Sequence, residues 1–461
     1  MKDSFNERCM EAKRRIINQY RLHTYNSNSN EFKEQKGIYA SAFPVIIKGD
    51  GTVWDKAALY LNFLLKERKS TQLLKNVGND LLDFLKFMEA NSIDMLHVPI
   101  EKELRVTYRY RQDLLNRENL SLTTASQRIS RIIAFYEYCF NNNLFTKEEL
   151  GKRLPKILRE KLFVKNKSKR WHKDSRGFSI QVEYESTDLS IRGIKSAVQS
   201  TDAIQDGRQL HPLTKEEQKI FEGYLAKYAS RLFHLVCCIA INTGARVQAI
   251  CTLRVDDIKK MKESRTVKGY YKGLKIGRTT TIDNKQDKTY TIFFPVWLVE
   301  DHAYVNSEEW KERAQKSYYK NNNNYIFLSK FGNSLYTSKI ENKDSEERKY
   351  PVNTLDNETM RSGESLRKSL NDLWKKMEAN NEPIHKFSLH DLRATFGLNL
   401  LSILQSTNLL NLNEIIEEIK ERMGHFSRET TENYINYHAR NRAYARISEQ
   451  YMESIYRYDN K

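Results

Sequence analysis

Cysteine, proline and long apolar runs are all scarce in this chain, and each scarcity excludes something. The five cysteines, Cys9, Cys139, Cys237, Cys238 and Cys251, are odd in number and form no CxxC or Cys/His ligand spacing. Neither a disulfide framework nor a zinc site is expected, and the pattern suits reduced, buried thiols in a cytosolic protein. Seven prolines in 461 residues leave room for long helices. The longest wholly apolar run, Leu235–Ile241, is too short to span a bilayer, and the opening MKDSFNERCMEAKRR has no apolar signal core. No P-loop and no internal repeat of about 20–50 residues is found. Acids are also outnumbered: 59 Asp and Glu face 77 Lys and Arg, a formal +18. That excess says nothing about fold. It favours a polyanionic partner, and nucleic acid is the commonest one.

Hydrophobic residues make up 39% and aromatics 11%, enough to fill real cores, and the length asks for two or three domains. Residues 1–50 read as an N-terminal extension, a charged amphipathic stretch followed by the polar NSNSNEFKEQKG. From residue 54 the pattern turns helical. WDKAALYLNFLLKE, LLKNVGNDLLDFLKFMEA, ELRVTYRYRQDLLNRE and SQRISRIIAFYEYCF each place apolar residues three and four apart. SLTTAS offers caps before the last of them, and the NNN at 141–143 ends it. Four helices make residues 51–150 a small all-α domain. Residues 151–208 follow as a basic interdomain linker, in which 152–176 alone hold eleven Lys and Arg against two acids, a surplus that is half the formal charge of the chain. A solvated linker is one reading. A strap along phosphates, with Lys165, Lys167, Lys169 and Arg170 as its DNA-binding residues, is the other, and its place between two domains favours it.

Residues 209–461 read as a second domain. HPLTKEEQKIFEGYL opens it with a capping box, Thr214 and Glu217. RLFHLVCCIAINTGARVQAICTL is two helices broken at Thr243–Gly244, and YYKGLKIGRTTTIDNKQDKTYTIFF is a strand pair about the turn DNKQDK. NNNNYIFLS suggests one more short strand, and residues 333–360 a polar insertion or mobile loop. Three helices follow, the last ending at Gly424 as its C-cap, and SRETTENYINYHARNRAYARISEQYMESIYRY closes the chain in helix.

The stretch SLHDLRATFGLNLL, residues 388–401, carries the first chemical signal. Ser388 as N-cap, with Asp391 three later, starts a helix near His390 and puts His390 and Arg393 on one face of its first turn. Free N–H groups and the positive helix end join them, a setting that suits an anion. A surface pair, or a histidine capping its own helix, would look the same. NTGARVQAICTLRVDDI places Arg246 just after a Thr-Gly break, again near a helix start. RMGHFSRETTENYINY places His425 after a helix-ending glycine and Tyr434 nine residues on. TGAR, HDLR, MGH and the tyrosine behind them resemble the tyrosine recombinases, the phage-integrase family of DNA strand-exchange enzymes. Order and spacing match across residues 211–440, and the four-helix segment before them is similar to the family's core-binding domain.

The resemblance implies a mainly α protein: an N-terminal four-helix core-binding (SAM-like) domain and a mixed α/β, mostly α, catalytic domain with a small antiparallel sheet. It implies the catalytic set Arg246, Lys285, His390, Arg393, His425 and Tyr434. The two arginines suit the non-bridging oxygens of a phosphodiester, whose charge grows in the transition state. His390 would be the base or proton relay for a phenol of pKa about 10, and His425 a hydrogen-bond donor to the phosphate. Lys285 is preferred to Lys288, both in DNKQDK, as the acid for the departing 5′ oxygen. Tyr437, one turn beyond Tyr434, is the rival nucleophile, with packing as its alternative role. The family often carries an acid three residues after the first arginine; here that place holds Ala249, beside Gln248. Neither cofactor nor metal is implied. The partners implied are double-stranded DNA and, on two DNA sites, a homotetramer; no membrane is involved. A cytoplasmic, nucleoid-associated and prokaryotic setting is expected. Two rivals stand: a type IB topoisomerase-like relaxer, and a DNA-binding regulator without cleavage, against which the intact set argues. The closing helix either packs on its own domain or docks on a neighbour.

Overall fold

The computed structural model describes residues 11–27, 29–173, 179–191, 203–206, 208–284, 288–300, 302–347 and 361–456. The chain divides into two compact units, one within residues 1–197 and one within 198–352 and 361–461. Helices dominate, and among the described residues every sheet is a single antiparallel pair. No helix among them is long and apolar enough to cross a membrane.

The first unit opens with a long hairpin, β1 (Lys13–Asn26) and β2 (Glu31–Ile47), in register from Lys13 opposite Ile47 to Asn26 opposite Glu31. This corrects the reading of residues 1–50 as an extension. Ala40, Phe43 and Ile46 of β2 are part of the unit's core, and the Tyr20 ring stacks on Phe43 with centroids 4.2 Å apart. Pro44 explains why the strand was hidden, because proline argues against a strand interior; a two-stranded sheet has an open edge that tolerates it. Behind the hairpin lie α1 (Asp55–Lys66), α2 (Thr71–Ala90), α3 (Val106–Asn116) and α4 (Leu122–Asn141), where the apolar periodicity placed them. Ser70 and Ser121 cap α2 and α4 by accepting from the N–H groups of Leu73 and Thr124. Leu61, Leu74, Leu81, Phe84, Tyr110 and Phe135 are wholly buried between them.

The segment expected as a linker is built structure. Just after α5 (Lys147–Leu150), it contains α6 (Pro155–Leu162) and a hairpin of β3 (Lys165–Lys173) with β4 (Ser179–Thr187). Lys165, Lys167 and Lys169 recur every second residue, the period of one strand face. Lys167 and Lys169 sit opposite Glu185 and Glu183, at 3.8 and 3.4 Å, and Lys165 lies 3.1 Å from Glu137. The charge surplus counted over 152–176 stops short of those two β4 glutamates.

The second unit begins with a two-residue pair, β5 (Ile204–Gln205) and β6 (Gln209–Leu210), then α7 (Lys215–Tyr228), α8 (Arg231–Thr243), α9 (Val247–Cys251) and α10 (Val255–Glu263). Thr214 and Glu217 form the expected capping box on α7. Strands β7 (Tyr271–Ile276) and β8 (Tyr290–Pro295) pair as expected, but the ladder ends at Ile276 opposite Tyr290, so the connection is longer than the turn DNKQDK. After α11 (Val296–Glu300) and α12 (Glu308–Lys316), the stretch expected as a further strand makes only isolated bridges, Arg254 to Tyr325 and Leu328 to Ser334. Residues 334–347 are ordered around buried Ser338 and Glu341 and include α13 (Lys339–Glu346); residues 348–360 of the expected loop lie outside the described residues. The unit ends with α14 (Glu364–Ala379), α15 (Asp391–Thr407), α16 (Leu412–Met423) and α17 (Arg428–Tyr456). The first seven residues of α15 are all buried, so it is the central helix around which the others pack.

If the N-terminal hairpin belongs to the core, Phe43→Ala costs the protein about 3 kcal/mol, the usual price of emptying a buried phenylalanine site. Denaturant titration of the full chain checks this; an unchanged midpoint would return residues 1–50 to the status of a loose arm.

Candidate active site

Two helix ends and one helix start build the site. Helix α8 ends at Gly244 in the left-handed region, φ 65°, where a Cβ would stand 2.4 Å from the Phe396 ring. The chain then turns through Ala245 into Arg246, which opens α9. Helix α16 ends at Gly424, and His425 follows directly. Between them starts α15, with Asp391 as its first residue; the Asp391 carboxylate accepts from the Ser388 N–H at 2.6 Å and from the His211 N–H at 2.8 Å. Those bonds tie the β5–β6 segment to the helix start. Ile204 and Leu210 anchor the same segment in a core shared with Phe396, Met423 and Tyr434.

Arg393 is 1% exposed. Its Nη1 donates to Gly244 O at 2.6 Å and its Nη2 to Met423 O at 2.5 Å, so the guanidinium holds both helix ends. Its Nε faces Asp206 Oδ2 at 3.4 Å. The Tyr434 hydroxyl donates to that same oxygen at 3.2 Å. His425 Nε2 also lies 3.4 Å from it but lacks hydrogen-bond geometry and has no other partner, while Nδ1 is engaged by Thr431 Oγ1 at 3.0 Å. Three of the expected site residues therefore converge on one carboxylate oxygen. Arg246 and His390 line a cavity of about 360 Å³ together with Asp206, Arg208, Gln248 and Arg367. Arg246 Nη1 also reaches Asn284 Oδ1 at 3.4 Å, which ties it to the β7–β8 connection.

The remaining expected residues fall elsewhere. Lys285 lies outside the described residues. Lys288, its rival, sits over the Phe426 ring at 4.0 Å from the centroid, next to His425. Tyr437 packs in the core shared by α15, α16 and α17. Lys165, Lys167 and Lys169 belong to the first unit, as does Arg170, whose strand position is opposite Val182. Ala249 is buried on α9. Asp206 escaped the sequence reading altogether. Its one signal is the Asp-Gly dipeptide at 206–207, a hairpin mark between the short alternating segments Ile204-Gln205 and Gln209-Leu210.

Residues 213–441 match the model of the phage integrase family. They form a phage integrase domain, that of the tyrosine recombinase family. Solved structures similar to it include a XerH site-specific recombinase with difH substrate after cleavage (15% identity, 84% of this chain, 82% of that chain, TM-score 0.44). The Tn1549 transposon integrase with circular-intermediate DNA (13% identity, 82% and 94%, TM-score 0.41) is another. A lambda integrase dimer on a core site (11% identity, 82% and 94%, TM-score 0.42) is a third. No curated protein sequence matches the chain.

Within this phage integrase domain the electrostatics follow from burial. Burial and the neighbouring Arg393 push the His390 imidazole down to about 4, so it is neutral at physiological pH. Burial also pulls His425 down, against the opposing pull of Asp206. The His425 imidazole facing it and the Arg393 and Arg246 charges together outweigh burial at Asp206 and hold its carboxyl far below the usual range. Burial, with Asp206 adding to it, raises the Tyr434 phenol well above its ordinary value. Among the described residues no group of three His, Cys, Asp or Glu could hold a metal ion.

The His390 shift has a measurable sign. An imidazole that takes its proton near 6.5 when unfolded and near 4 when folded destabilises the fold as pH falls from 6.5 towards 4, and has no such effect above that window. An NMR titration of the DNA-free protein is expected to place the His390 midpoint near 4. A midpoint at or above 6.5 would contradict the buried, cationic setting described.

Proposed function

We propose that this chain is a site-specific DNA recombinase that breaks and rejoins double-stranded DNA through a covalent link to Tyr434. The observation that carries this reading is the convergence of Arg393 Nε, His425 Nε2 and the Tyr434 hydroxyl on one anionic oxygen, with Arg246 and His390 on the cavity beside it. Such a cluster fits a phosphodiester: cationic groups, N–H donors and a nucleophile directed at one point.

The Tyr434 oxygen attacks the scissile phosphorus and forms a bond to it, and the bond to the 5′ oxygen breaks. The phenol proton passes to neutral His390, whose depressed basicity in the empty site rises when the phosphate brings negative charge. Arg246 and the Nε edge of Arg393 bind the non-bridging oxygens, and His425 donates to one of them. The leaving 5′ oxygen takes a proton from Lys285, with Lys288 as the alternative. The product is a 3′-phosphotyrosine and a free 5′-hydroxyl. A 5′-hydroxyl from another strand reverses the step, so the bond energy stays in the link.

Residues 51–150 and the strand bearing Lys165, Lys167, Lys169 and Arg170 contact the flanking duplex in this reading. The three lysines are paired with glutamates, so their share of the salt dependence is smaller than a bare basic strap would give. Four protomers act on two sites, and exposed Tyr444, Ile447 and Tyr451, spaced along one face of α17, are the surface for a second copy. We place the protein in a prokaryotic, nucleoid-associated setting.

Incubation with nicked half-site DNA followed by a denaturing gel tests the proposal. Wild type and Tyr437→Phe are expected to form a covalent adduct and Tyr434→Phe none. Arg246→Ala is expected to slow adduct formation by about a hundredfold or more. An adduct that persists in Tyr434→Phe rejects the nucleophile, and none with wild type favours a non-catalytic DNA binder. Exchange between two sites, rather than relaxation of supercoils alone, separates recombination from topoisomerase action.

A further inference from the structure

We propose that Asp206 is an internal stand-in for the scissile phosphate: without DNA its carboxylate occupies the seat of a phosphate oxygen, and strand cleavage requires its displacement. This rests on the reading of Tyr434 as nucleophile.

Four observations carry it. First, Asp206 Oδ2 alone is shared by Arg393 Nε, His425 Nε2 and the Tyr434 hydroxyl, at 3.4, 3.4 and 3.2 Å. These are the groups that have to face a phosphate. Second, the His425 imidazole is 1% exposed and its Nε2 makes no hydrogen bond, so a buried donor or acceptor site points at the seat unsatisfied. A tetrahedral phosphate, with oxygens in more directions than a carboxylate, can meet it. Third, Tyr434 is wholly buried and takes no part in lining the 360 Å³ cavity, whereas half-buried Arg246 and His390 line it, and Asp206 both lines it and bonds the phenol. Asp206 is the described group that separates nucleophile from cavity. Fourth, the backbone on either side is held: Ile204 and Leu210 are buried, Asn433 Nδ2 donates to Gln205 O at 3.1 Å, and Arg208 bonds the Ser388 hydroxyl. The carboxylate is thus presented from an anchored segment at the wall of the cavity.

The arrangement does two things at once. It gives the buried Arg393 a counter-charge before DNA arrives. It also keeps the phenol protonated, since a hydrogen bond to an anion disfavours phenolate. A phosphate and an ionised Asp206 cannot share one oxygen seat, so DNA has to replace the carboxylate.

The full chain and its variants Asp206→Asn and Asp206→Ser, free of DNA, are titrated with inorganic phosphate by calorimetry and by thermal melting. Both variants are expected to bind phosphate about tenfold more tightly than wild type, through loss of one like charge at the seat. Their melting temperatures fall without phosphate and recover with it; should one variant fail to fold, that recovery in the other reads the same quantity. On nicked half-site DNA, the DNA concentration for half-maximal adduct formation falls while the maximal rate does not. Unchanged phosphate affinity would overturn the proposal. So would a maximal rate about tenfold lower at an unchanged DNA requirement, which would make Asp206 a positioning residue for Arg393 and His425. Tighter phosphate binding in variants that, like wild type, form no adduct would leave the seat standing and remove only the cleavage reading.

Discussion

The second unit depends on one buried charge. Arg393 lies at the centre of the fold with almost no exposure, and a guanidinium so placed has to be fully partnered. Its partners are the carbonyls of Gly244 and Met423, at the C-terminal ends of α8 and α16, and the Asp206 carboxylate. Helix C-termini carry partial negative charge, so both ends favour the cation they hold. Each of those ends hands the chain to a site residue two positions later, Gly244 to Arg246 and Met423 to His425. One side chain therefore fixes the places of two others from opposite ends of the sequence. Close packing completes the geometry. Gly397, one turn after Arg393, lies so near Tyr434 and Met423 that a Cβ would stand 2.7 Å from the tyrosine ring and 2.8 Å from the sulfur. The α17 tyrosine can approach α15 only because that position is bare.

Much of this was legible in the sequence, for identifiable reasons. The helices over 54–141 are amphipathic, serines cap α2 and α4, and local periodicity suffices to find them. HDLR, TGAR and MGH sit at helix starts and ends marked by Ser388, Gly244 and Gly424, so their placement follows from short-range rules, and the family follows from their order. The two hairpins of the first unit were not legible. In β2 a proline interrupts the pattern, and in β3 the alternation is of lysines, whose compensating Glu183 and Glu185 lie on the next strand. The strand expected at NNNNYIFLS failed because its backbone finds only scattered bridges. Asp206 was invisible for a different reason. It meets Tyr434 across 228 residues, and no local pattern reports a contact of that range.

The site as it stands is electrically closed. Arg393, Arg246 and His425 hold the Asp206 carboxylate ionised, with neutral His390 on the same cavity. Binding DNA then exchanges one anion for another and needs no new charge to be buried. The phenol is the group most altered by that exchange, because its partner changes from an acceptor that holds its proton to an electrophile.

The most direct measurement is a structure of Tyr434→Phe bound to an uncleaved half-site duplex. The account expects one non-bridging oxygen of the scissile phosphate between Arg393 Nε and His425 Nε2, with Arg246 on a second oxygen and Asp206 turned away. A phosphate bound elsewhere, with Asp206 still bridging Arg393 and His425, would contradict it.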